Sequence, residues 1–326
     1  MARGIDISVV APVYNEEESL PELYEQVRAA LDGPEARGAA WELVLVDDRS
    51  TDRSLAVMLA LRERDRRVHV VRFQSNAGQT AAMAAGFERA HGEVVVTIDA
   101  DLQNDPADIP RLVAALEQGA GHDIVAGWRR KRHDGLFLRL VPSWIANRLI
   151  ALVTGTRIHD TGCTLKAFRR QVVKNLPIYA EQHRFLPAMS RNTGARVLEL
   201  EVNHRARRYG KSKYGIGRAV RVFLDLFVIK MITQFANKPL HYFGLFALPF
   251  AAFSLITLFF GAVDFERGAL VAEWPQMALL STFLFLLMAL HFVLLGLLSE
   301  LVVTAGGVHR RNVLDRILAD QREGAR

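Results

Sequence analysis

The sequence lacks the signals of a secreted, disulfide-rich or zinc-binding protein. Among its 326 residues there is one cysteine, Cys163, which excludes an intrachain disulfide framework and a zinc site built from several cysteines of one chain. Residues 1–6 are not followed by a long apolar stretch of the kind found in signal peptides, so we expect no cleaved secretory signal. The sequence also shows no internal repeat and no low-complexity segment.

Two common nucleotide-binding signatures are missing as well. Neither G-x-G-x-x-G nor G-x-x-x-x-G-K-[ST] occurs, which removes the main support for a dinucleotide-binding or P-loop protein. The chain instead has an excess of positive charge, with 41 Lys and Arg against 35 Asp and Glu and a formal net charge of +6. This balance suits nucleic acid, anionic lipid or a phosphorylated substrate, and composition does not choose among them.

The first half of the chain alternates between short apolar runs and helical patterns. The segments that carry a strand pattern are 5–11, 41–46, 68–73, 94–98 and 123–127. The segments that carry a helical pattern between them are about 20–31, 54–64 and 81–90. Such alternation is typical of a parallel sheet with helices on both faces.

The strand pattern at 94–98 ends in side chains that can hold a metal ion. This apolar, β-branched run is typical of a strand buried on both faces, and Asp99, Asp101 and Gln103 follow it. Open α/β sheets bind ligands at the carboxyl ends of their strands. Carboxylate and carbonyl oxygens suit Mg²⁺ or Mn²⁺ held jointly with a diphosphate. A polar strand end with an Asp-Pro turn is the structural alternative, and the D-x-D spacing alone does not decide between them.

Four ordered motifs resemble those of the inverting family 2 glycosyltransferases with a GT-A fold. They are A-P-V-Y-N-E at 11–16, V-D-D-R-S-T-D at 46–52, N-A-G at 76–78 and D-A-D-L-Q at 99–103. The last motif and its N-D-P continuation resemble the polyprenyl-phosphate glycosyltransferase branch, which includes dolichyl-phosphate mannose synthases and bacterial relatives. The resemblance covers nearly the whole chain. It implies an α/β fold with a Rossmann-like, mostly parallel sheet flanked by helices, followed by amphipathic interface helices and a two-helix transmembrane hairpin.

The resemblance also implies a site that binds a nucleotide-sugar and a divalent metal. The residues expected to bind the nucleotide-sugar are Pro12, Tyr14, Glu16, Asp47, Asp48, Asn76, Asp99 and Lys213. The residues expected to hold Mg²⁺ or Mn²⁺ are Asp101, Gln103 and Asp99. For Asp48 and Asn76 the alternative is that they only brace a turn.

A second set of residues is expected to bind the acceptor. The cations at 129–132 leave the predicted strand 123–127, so phosphate contacts are favoured over a solvated charged face. The resemblance implies that the residues contacting the acceptor phosphate are Arg129, Arg139, Ser143, Arg205, Arg208 and Ser212. The expected catalytic set is Asp99, Asp101, Arg129 and Asp160. Cys163 is interpreted as a packed small residue and not as a nucleophile.

The C-terminal third of the chain is typical of a membrane protein. The basic segment 204–215 interleaves cations with Tyr, which also suits single-stranded nucleic acid. The apolar stretches 242–263 and 277–298 each have about the twenty residues needed to span hydrocarbon. The basic segment therefore lies where it would meet anionic lipid headgroups, and nucleic acid is disfavoured as a partner.

Four segments are predicted from these patterns. They are a cytosolic GT-A catalytic domain at 1–213, a juxtamembrane interface helix at 214–238, two transmembrane helices at 239–300 and a cytoplasmic basic tail at 301–326. The loop between the apolar stretches is on balance acidic and their outer flanks are basic, so the positive-inside rule places both termini in the cytoplasm of an inner or plasma membrane. Relatives with this anchor form tetramers, which makes a homo-oligomer one expected state.

The expected reaction is the inverting transfer of a single hexose from a nucleotide-sugar, preferably a UDP-sugar, to polyprenyl phosphate on the cytoplasmic leaflet. A phosphate monoester is already anionic near neutral pH, so it needs no strong general base. GDP-mannose and a UDP-aminosugar fit the donor role as well. Transfer of the sugar to a different lipid or to a polysaccharide also fits these patterns, and so does a non-catalytic lipid-binding scaffold.

Overall fold

The computed structural model describes residues 4–118, 121–130, 159–175, 195–206, 208, 231, 235, 238–266 and 274–305. The interface helix predicted at 214–238 therefore lies almost entirely outside the described residues. The chain divides into two compact units, Met1–Ile229 and Lys230–Arg326, and each is considered by itself.

The first unit is built on a seven-stranded sheet. Its strands are β1 Ile7–Val13, β2 Trp41–Asp47, β3 Val68–Arg72, β4 Val94–Thr97, β5 Ile124–Trp128, β6 Lys166–Arg169 and β7 Val197–Glu201. They lie in the order β3-β2-β1-β4-β6-β5-β7. Four neighbouring pairs are parallel, and β6 runs antiparallel to both β4 and β5. The sheet is mixed and mostly parallel, as predicted.

Helices connect and cover these strands. They are α1 Leu20–Asp32, α2 Ser54–Arg64, α3 Gln79–Arg89, α4 Ile109–Gln118 and α5 Arg170–Asn175. Two short 3-10 turns lie at Pro34–Ala36 and Pro106–Asp108. In α1 the buried residues Leu20, Leu23 and Val27 are spaced by three and four positions, so they line one face of the helix and pack into the core.

The central strands form the middle of the core. Every residue of β2 is buried, and β4 is buried along its whole length. Parallel strands covered on both faces read as continuous apolar runs, which is why the sequence pattern located these two well. The sequence pattern did not predict β6 or β7. β6 has only four residues, with Lys166 and Arg169 at its ends, and in β7 apolar residues alternate with glutamates.

The strand directions bring many loops to one edge of the sheet. Since β1, β2, β3 and β4 are parallel and β5 runs the same way, their carboxyl ends share that edge. The reversed strand β6 starts there, so the segment 159–165 that precedes it joins the same edge. This topology places the D-x-D motif beside the D-T-G-C-T segment, although some 60 residues separate them in the chain.

The second unit contains two long apolar helices, α6 Pro239–Glu266 and α7 Trp274–Ala305. Within them, stretches of 25 and 29 residues are long and apolar enough to cross a membrane. The helices pack antiparallel: Phe246 stacks on Phe292, and the Ser254 hydroxyl donates to the Thr282 carbonyl at 3.0 Å. Most of their other large apolar side chains are exposed, as expected of a lipid-facing surface.

A substitution at Gly86 tests how α3 packs on the sheet. A Cβ at Gly86 would lie 2.2 Å from Cγ1 of Val10 and 3.4 Å from Cγ2 of Val46. In open space a helical Gly→Ala change stabilises a protein by up to about 1 kcal/mol. Here we expect Gly86→Ala to destabilise it by about 1–3 kcal/mol through overpacking, seen as a lower Tm.

Gly244→Ala is the matched control, because a Cβ at Gly244 meets no atom within 4 Å. Its Tm should equal or exceed that of the unsubstituted protein. A Gly86→Ala variant that melts as late as this control would contradict the close packing of α3 against β1.

Candidate active site

Left-handed backbone conformations cluster where strands end at the shared edge. Asn15 follows β1 with φ +55°, Arg49 follows β2 with φ +64°, and Leu102 follows β4 with φ +60°. Gly78, after β3, has φ +90°. Non-glycine residues avoid this region, and the free-energy cost of adopting it is higher for arginine and leucine than for asparagine. Such strain concentrates at functional sites, so this edge is the candidate active site.

The residues predicted to bind the nucleoside lie along β1 and β2 at this edge. Pro12 is within β1, and Tyr14, 37% exposed, and Glu16 are in the loop that follows it. Asp47 is the last residue of β2 and is buried. Its Oδ1 accepts a hydrogen bond from the Ser50 amide at 2.9 Å, which fixes the carboxylate at the strand end.

An open pocket of about 270 Å³ lies at the same end of β2 and β3. It is lined by Arg49, Arg72, Phe73 and Gln74. Nε of Arg72 lies 4.0 Å from Oδ2 of Asp47, so one residue that lines the pocket is also next to the buried carboxylate.

Asp48 and Asn76 contact each other's loops. The Asp48 carboxylate accepts hydrogen bonds from the amides of Ala77 at 2.7 Å and Gly78 at 3.0 Å. The Asn76 side-chain amide donates to the Asp48 carbonyl at 3.1 Å. These are the contacts of residues that brace a turn, the alternative that the sequence had left open for both.

The exit of β4 carries the two carboxylates of the D-x-D motif. Asp99 accepts from the Gln79 side-chain amide at 2.7 Å and, on its other oxygen, from the Thr164 hydroxyl at 2.6 Å. Asp101 is 8% exposed, and its Oδ1 accepts from the Gln103 amide at 3.2 Å. A carboxylate has about four acceptor positions, so the two bonds to Asp99 leave it able to accept further contacts.

The donor set at this exit fits a divalent cation that is shared with a substrate. Asp99, Asp101 and Gln103 offer hard oxygens, which Mg²⁺ and Mn²⁺ prefer. Within the described part of the chain, no group of three or more His, Cys, Asp and Glu side chains is placed to hold a metal by itself. A magnesium ion bound by one or two carboxylates completes its coordination with phosphate oxygens and water.

A buried ion pair joins the end of β5 to the segment before β6. Arg129 donates from Nε to Oδ2 of Asp160 at 2.7 Å and from Nη2 to Oδ1 at 3.0 Å. Their side chains are 16% and 1% exposed. Burial alone would lower the pKa of Arg129, but the hydrogen bonds and charge of Asp160 outweigh it, and the pKa is raised. The guanidinium is therefore a permanent cation held in a fixed orientation.

Cys163 lies in this segment and is fully buried. Burial raises the pKa of its thiol to about 11, with smaller opposing effects from Arg129 and Lys166. Its Sγ contacts Oδ1 of Asn104 and the carbonyl of Leu165, each at 3.8 Å. A protonated, enclosed thiol is a packing residue and not a nucleophile, in agreement with the sequence interpretation.

Two cations predicted to bind acceptor phosphate are engaged with acidic residues. Arg205 pairs with Asp105 and also donates to Gln26 of α1, and Arg208 pairs with Glu22 of α1. The Arg205 amide donates to the Gln103 carbonyl at 2.8 Å, so this segment reaches the exit of β4. Arg139, Ser143, Ser212 and Lys213 lie outside the described residues.

The sequence reasoning missed Asn15, Gln79 and Thr164. Oδ1 of Asn15 accepts hydrogen bonds from the loop after β2, while Gln79 and Thr164 hold the two oxygens of Asp99. Asn15 stands inside the motif at 11–16, and Thr164 directly follows Cys163. Their contacts cross between segments 20 to 65 residues apart, which motif spacing does not reveal.

Comparison with known proteins agrees with this geometry. The model of the family described as glycosyl transferase family 2 matches residues 8–176, which include the exits of β1 to β5 and the segment before β6. The chain belongs to glycosyltransferase family 2. The family and the α/β GT-A fold that the motifs predicted are thereby confirmed, and the protein is a glycosyltransferase.

Two curated family 2 relatives are similar along nearly their whole length. The dodecaprenyl-phosphate galacturonate synthase of Rhizobium johnstonii is 40% identical over 304 residues, which are 92% of this chain and 88% of that protein. The undecaprenyl-phosphate 4-deoxy-4-formamido-L-arabinose transferase of Salmonella paratyphi A is 37% identical over 301 residues, 91% of this chain and 88% of that protein. Both names state a polyprenyl-phosphate sugar transferase, which confirms the resemblance to that branch.

A solved structure shares the fold at lower identity. Glucosyl-3-phosphoglycerate synthase from Mycobacterium tuberculosis, in complex with Mn²⁺, UDP and glucosyl-3-phosphoglycerate, has a TM-score of 0.55 and 20% identity. The match covers 70% of this chain and 79% of that one. At this identity the likeness shows the GT-A fold of this glycosyltransferase.

The burial of Cys163 is testable by thiol labelling, because the chain has no other cysteine. We expect a maleimide to react with the native protein at least 100-fold more slowly than with the guanidinium-denatured protein. The thiol is both enclosed and, with a pKa of about 11, protonated at neutral pH. Mass spectrometry of the labelled fraction over time gives both rates; equal rates would show that the segment before β6 does not pack as described.

Proposed function

We propose that this protein transfers a single hexose from a nucleotide-sugar to polyprenyl phosphate, with inversion at the anomeric carbon. The observation that carries the proposal is the 2.6 Å hydrogen bond between Asp99 of the D-x-D motif and Thr164. It ties the edge suited to a metal and diphosphate to the segment that holds Arg129. A donor site and a cation for an anionic acceptor thus lie side by side. The names of the two curated relatives support the same acceptor.

The donor nucleotide is assigned to the exits of β1, β2 and β3. Pro12, Tyr14, Glu16 and Asp47 border this region, and the pocket beside Asp47 accepts the base. UDP is the preferred nucleotide, in keeping with the UDP named for the M. tuberculosis structure that shares the fold. Asp48 and Asn76 act here by holding the loops, and Lys213 remains a proposed donor contact.

Asp101 and the side-chain carbonyl of Gln103 are proposed to hold Mg²⁺ or Mn²⁺ together with the diphosphate, with Asp99 next to the metal and the sugar. When bound, the cation neutralises the charge that develops on the departing diphosphate. Gln79 and Thr164 keep Asp99 turned towards the bound donor. The Mn²⁺ named for the M. tuberculosis enzyme supports a divalent metal.

Arg129 is proposed to position the acceptor phosphate. Asp160 uses two of the five guanidinium N–H groups, so others remain for phosphate oxygens. The high pKa of an arginine lets it hold the nucleophile without giving it a proton. Asp160 therefore acts by orienting Arg129. Further phosphate contacts are proposed for Arg139, Ser143, Arg205, Arg208 and Ser212.

The apolar helices α6 and α7 are proposed to anchor the enzyme in the inner or plasma membrane as a hairpin. The catalytic domain at 1–213 and both termini would then lie in the cytoplasm, with an interface helix at 214–238, spans within 239–300 and a basic tail at 301–326. The acceptor headgroup would be delivered from the cytoplasmic leaflet, where the basic segment 204–215 meets anionic lipid. A homo-oligomer such as a tetramer is one assembly that the proposal allows.

A transfer assay tests the proposal directly. The purified protein is incubated with Mg²⁺ or Mn²⁺, polyprenyl phosphate and a panel of UDP- and GDP-sugars, and lipid products are separated by chromatography and identified by mass spectrometry. We expect one sugar per lipid from a UDP-sugar, and no product when EDTA is present. Absence of a glycolipid with every donor would refute the proposed acceptor, and lipid-bound chains of several sugars would favour a polymerising transferase.

Replacement of Asp101 tests the metal site. Asp101→Asn keeps the size of the side chain and removes the charge that the cation needs, so we expect turnover to fall by about 100-fold or more. Metal-dependent binding of UDP, measured by calorimetry, should be lost with it. The exposed Glu35→Gln loses the same charge far from the site and should behave as wild type. An Asp101→Asn variant with full transfer activity and unchanged metal-dependent UDP binding would refute the proposed metal site at Asp101.

The buried Arg129–Asp160 pair separates a structural role from a functional one. Asp160→Asn leaves a buried cation without its partner and should destabilise the protein by about 3–5 kcal/mol. The double variant Arg129→Gln with Asp160→Asn removes both charges and should recover most of that stability, measured as Tm. We expect the double variant to remain inactive, because the acceptor has lost its cation; recovered transfer would show that Arg129 has only a structural role.

A further inference from the structure

The loops after β1 and β2 are joined by hydrogen bonds that run in both directions. Oδ1 of Asn15 accepts from the Thr51 amide at 2.7 Å, the Thr51 hydroxyl at 3.2 Å and the Asp52 amide at 3.4 Å. In return, the Asn15 amide donates to the Ser50 hydroxyl at 3.1 Å. One side chain thus organises the turn of a loop that lies 35 to 37 residues further along the chain.

Neighbouring bonds repeat this arrangement. The Glu16 amide donates to Oγ of Ser54 at 2.8 Å, and the Glu17 amide donates to the Asp52 carboxylate at 3.2 Å. The Arg53 amide donates back to the Glu17 carboxylate at 2.8 Å. Several amides of each loop therefore donate to side chains of the other loop, so the conformations of the two loops depend on each other.

This network reaches the proposed nucleoside contacts through two short connections. Tyr14 directly precedes Asn15, whose left-handed backbone sets the direction in which the loop leaves β1. Ser50, which accepts from the Asn15 amide, donates its own amide to Oδ1 of Asp47 at 2.9 Å. A change at Asn15 would thereby reach the aromatic side chain of Tyr14 in the loop after β1 and the buried carboxylate of Asp47 at the end of β2.

We propose that Asn15 is a positioning residue that holds the loops after β1 and β2 together as one preformed platform for the donor nucleotide. The inference rests on the proposed function, since it takes the donor to bind at Tyr14 and Asp47. Two requirements select asparagine at this position: the backbone has φ +55°, which asparagine tolerates better than most residues, and an acceptor oxygen must reach Thr51. Preformed loops bind a ligand more tightly, because no conformational entropy is lost in ordering them when the ligand binds.

Two substitutions separate these requirements. Asn15→Gly accepts the left-handed backbone and loses the acceptor oxygen, whereas Asn15→Asp is also tolerated there and keeps an acceptor at the same place. The probe is UDP with Mn²⁺, and GDP with Mn²⁺ serves as the second nucleotide, both titrated by calorimetry against the full-length protein. Amide hydrogen exchange at Thr51 and Asp52 reports the network itself.

For Asn15→Gly we expect nucleotide affinity to fall by about tenfold. This corresponds to the net free energy of one or two hydrogen bonds, which no longer keep the loops ordered before the nucleotide binds. Exchange at Thr51 and Asp52 should accelerate. In a transfer assay the donor KM should rise while kcat at saturating donor stays near wild type, a split that general destabilisation would not produce. Asn15→Asp should stay close to wild type in nucleotide affinity and in amide exchange.

An Asn15→Gly variant that binds UDP as tightly as wild type would overturn the inference, and so would an Asn15→Asp variant that binds as weakly as Asn15→Gly. The proposed function fails separately. A wild-type protein that binds UDP or GDP but makes no glycolipid would refute the acceptor and leave the role of Asn15 intact. A wild-type protein that binds neither nucleotide would overturn both.

Discussion

The candidate site depends on the direction of one short strand. β6 lies between β4 and β5 and runs antiparallel to both. If it ran the other way, the segment 159–165 would open at the opposite edge of the sheet, away from the D-x-D motif. Because it is reversed, Thr164 contacts Asp99, and Asp160 contacts Arg129 at the end of β5. The mixed sheet thus brings to one edge the exits of β1 to β5 and of β7 together with the segment before β6, although these loops are far apart in the chain.

The polar groups at this edge form linked pairs instead of a cluster of independent ligands. Asp48 holds the loop after β3, Asn15 holds the loop after β2, Thr164 holds Asp99, and Asp160 holds Arg129. Catalysis by positioning and electrostatics requires this kind of rigidity, because dipoles and charges that are already oriented need no reorganisation during the reaction. The residues with left-handed backbone at the strand exits show that backbone strain accompanies this rigid arrangement.

The sequence predicted the strands β1 to β5 and the helices α1, α2 and α3 to within about two residues, because buried parallel strands and amphipathic helices have strong periodic patterns. It gave no bounds for α4, and the chemistry expected at the strand ends stays a prediction. It did not reveal β6 and β7, whose few residues include charges, nor the contacts of Gln79 and Asn15. Those contacts depend on which loops meet in space, and a single sequence carries no direct signal of that.

The same limit explains how the interpretation of individual residues changed. The resemblance placed Asp160 in the expected catalytic set, and the structure shows its carboxylate engaged with Arg129 and with the Gly162 amide at 3.1 Å. For Asp48 the sequence had left open that it only braces a turn, and the two neighbouring carboxylates do have different partners: Asp48 accepts from the loop at 76–78 and Asp47 accepts from Ser50. Asp47 is the last residue of β2 and Asp48 the first residue after it, so the two side chains are held in different surroundings.

The central claim is that the exit of β4 holds a divalent cation together with the donor diphosphate. The most direct measurement is an anomalous difference map from crystals of the full-length protein grown with Mn²⁺ and UDP. The account predicts a manganese peak within bonding distance of the Asp101 carboxylate and of the diphosphate oxygens. A bound UDP whose diphosphate lies away from Asp101, or a manganese peak at any other place on the protein, would contradict it.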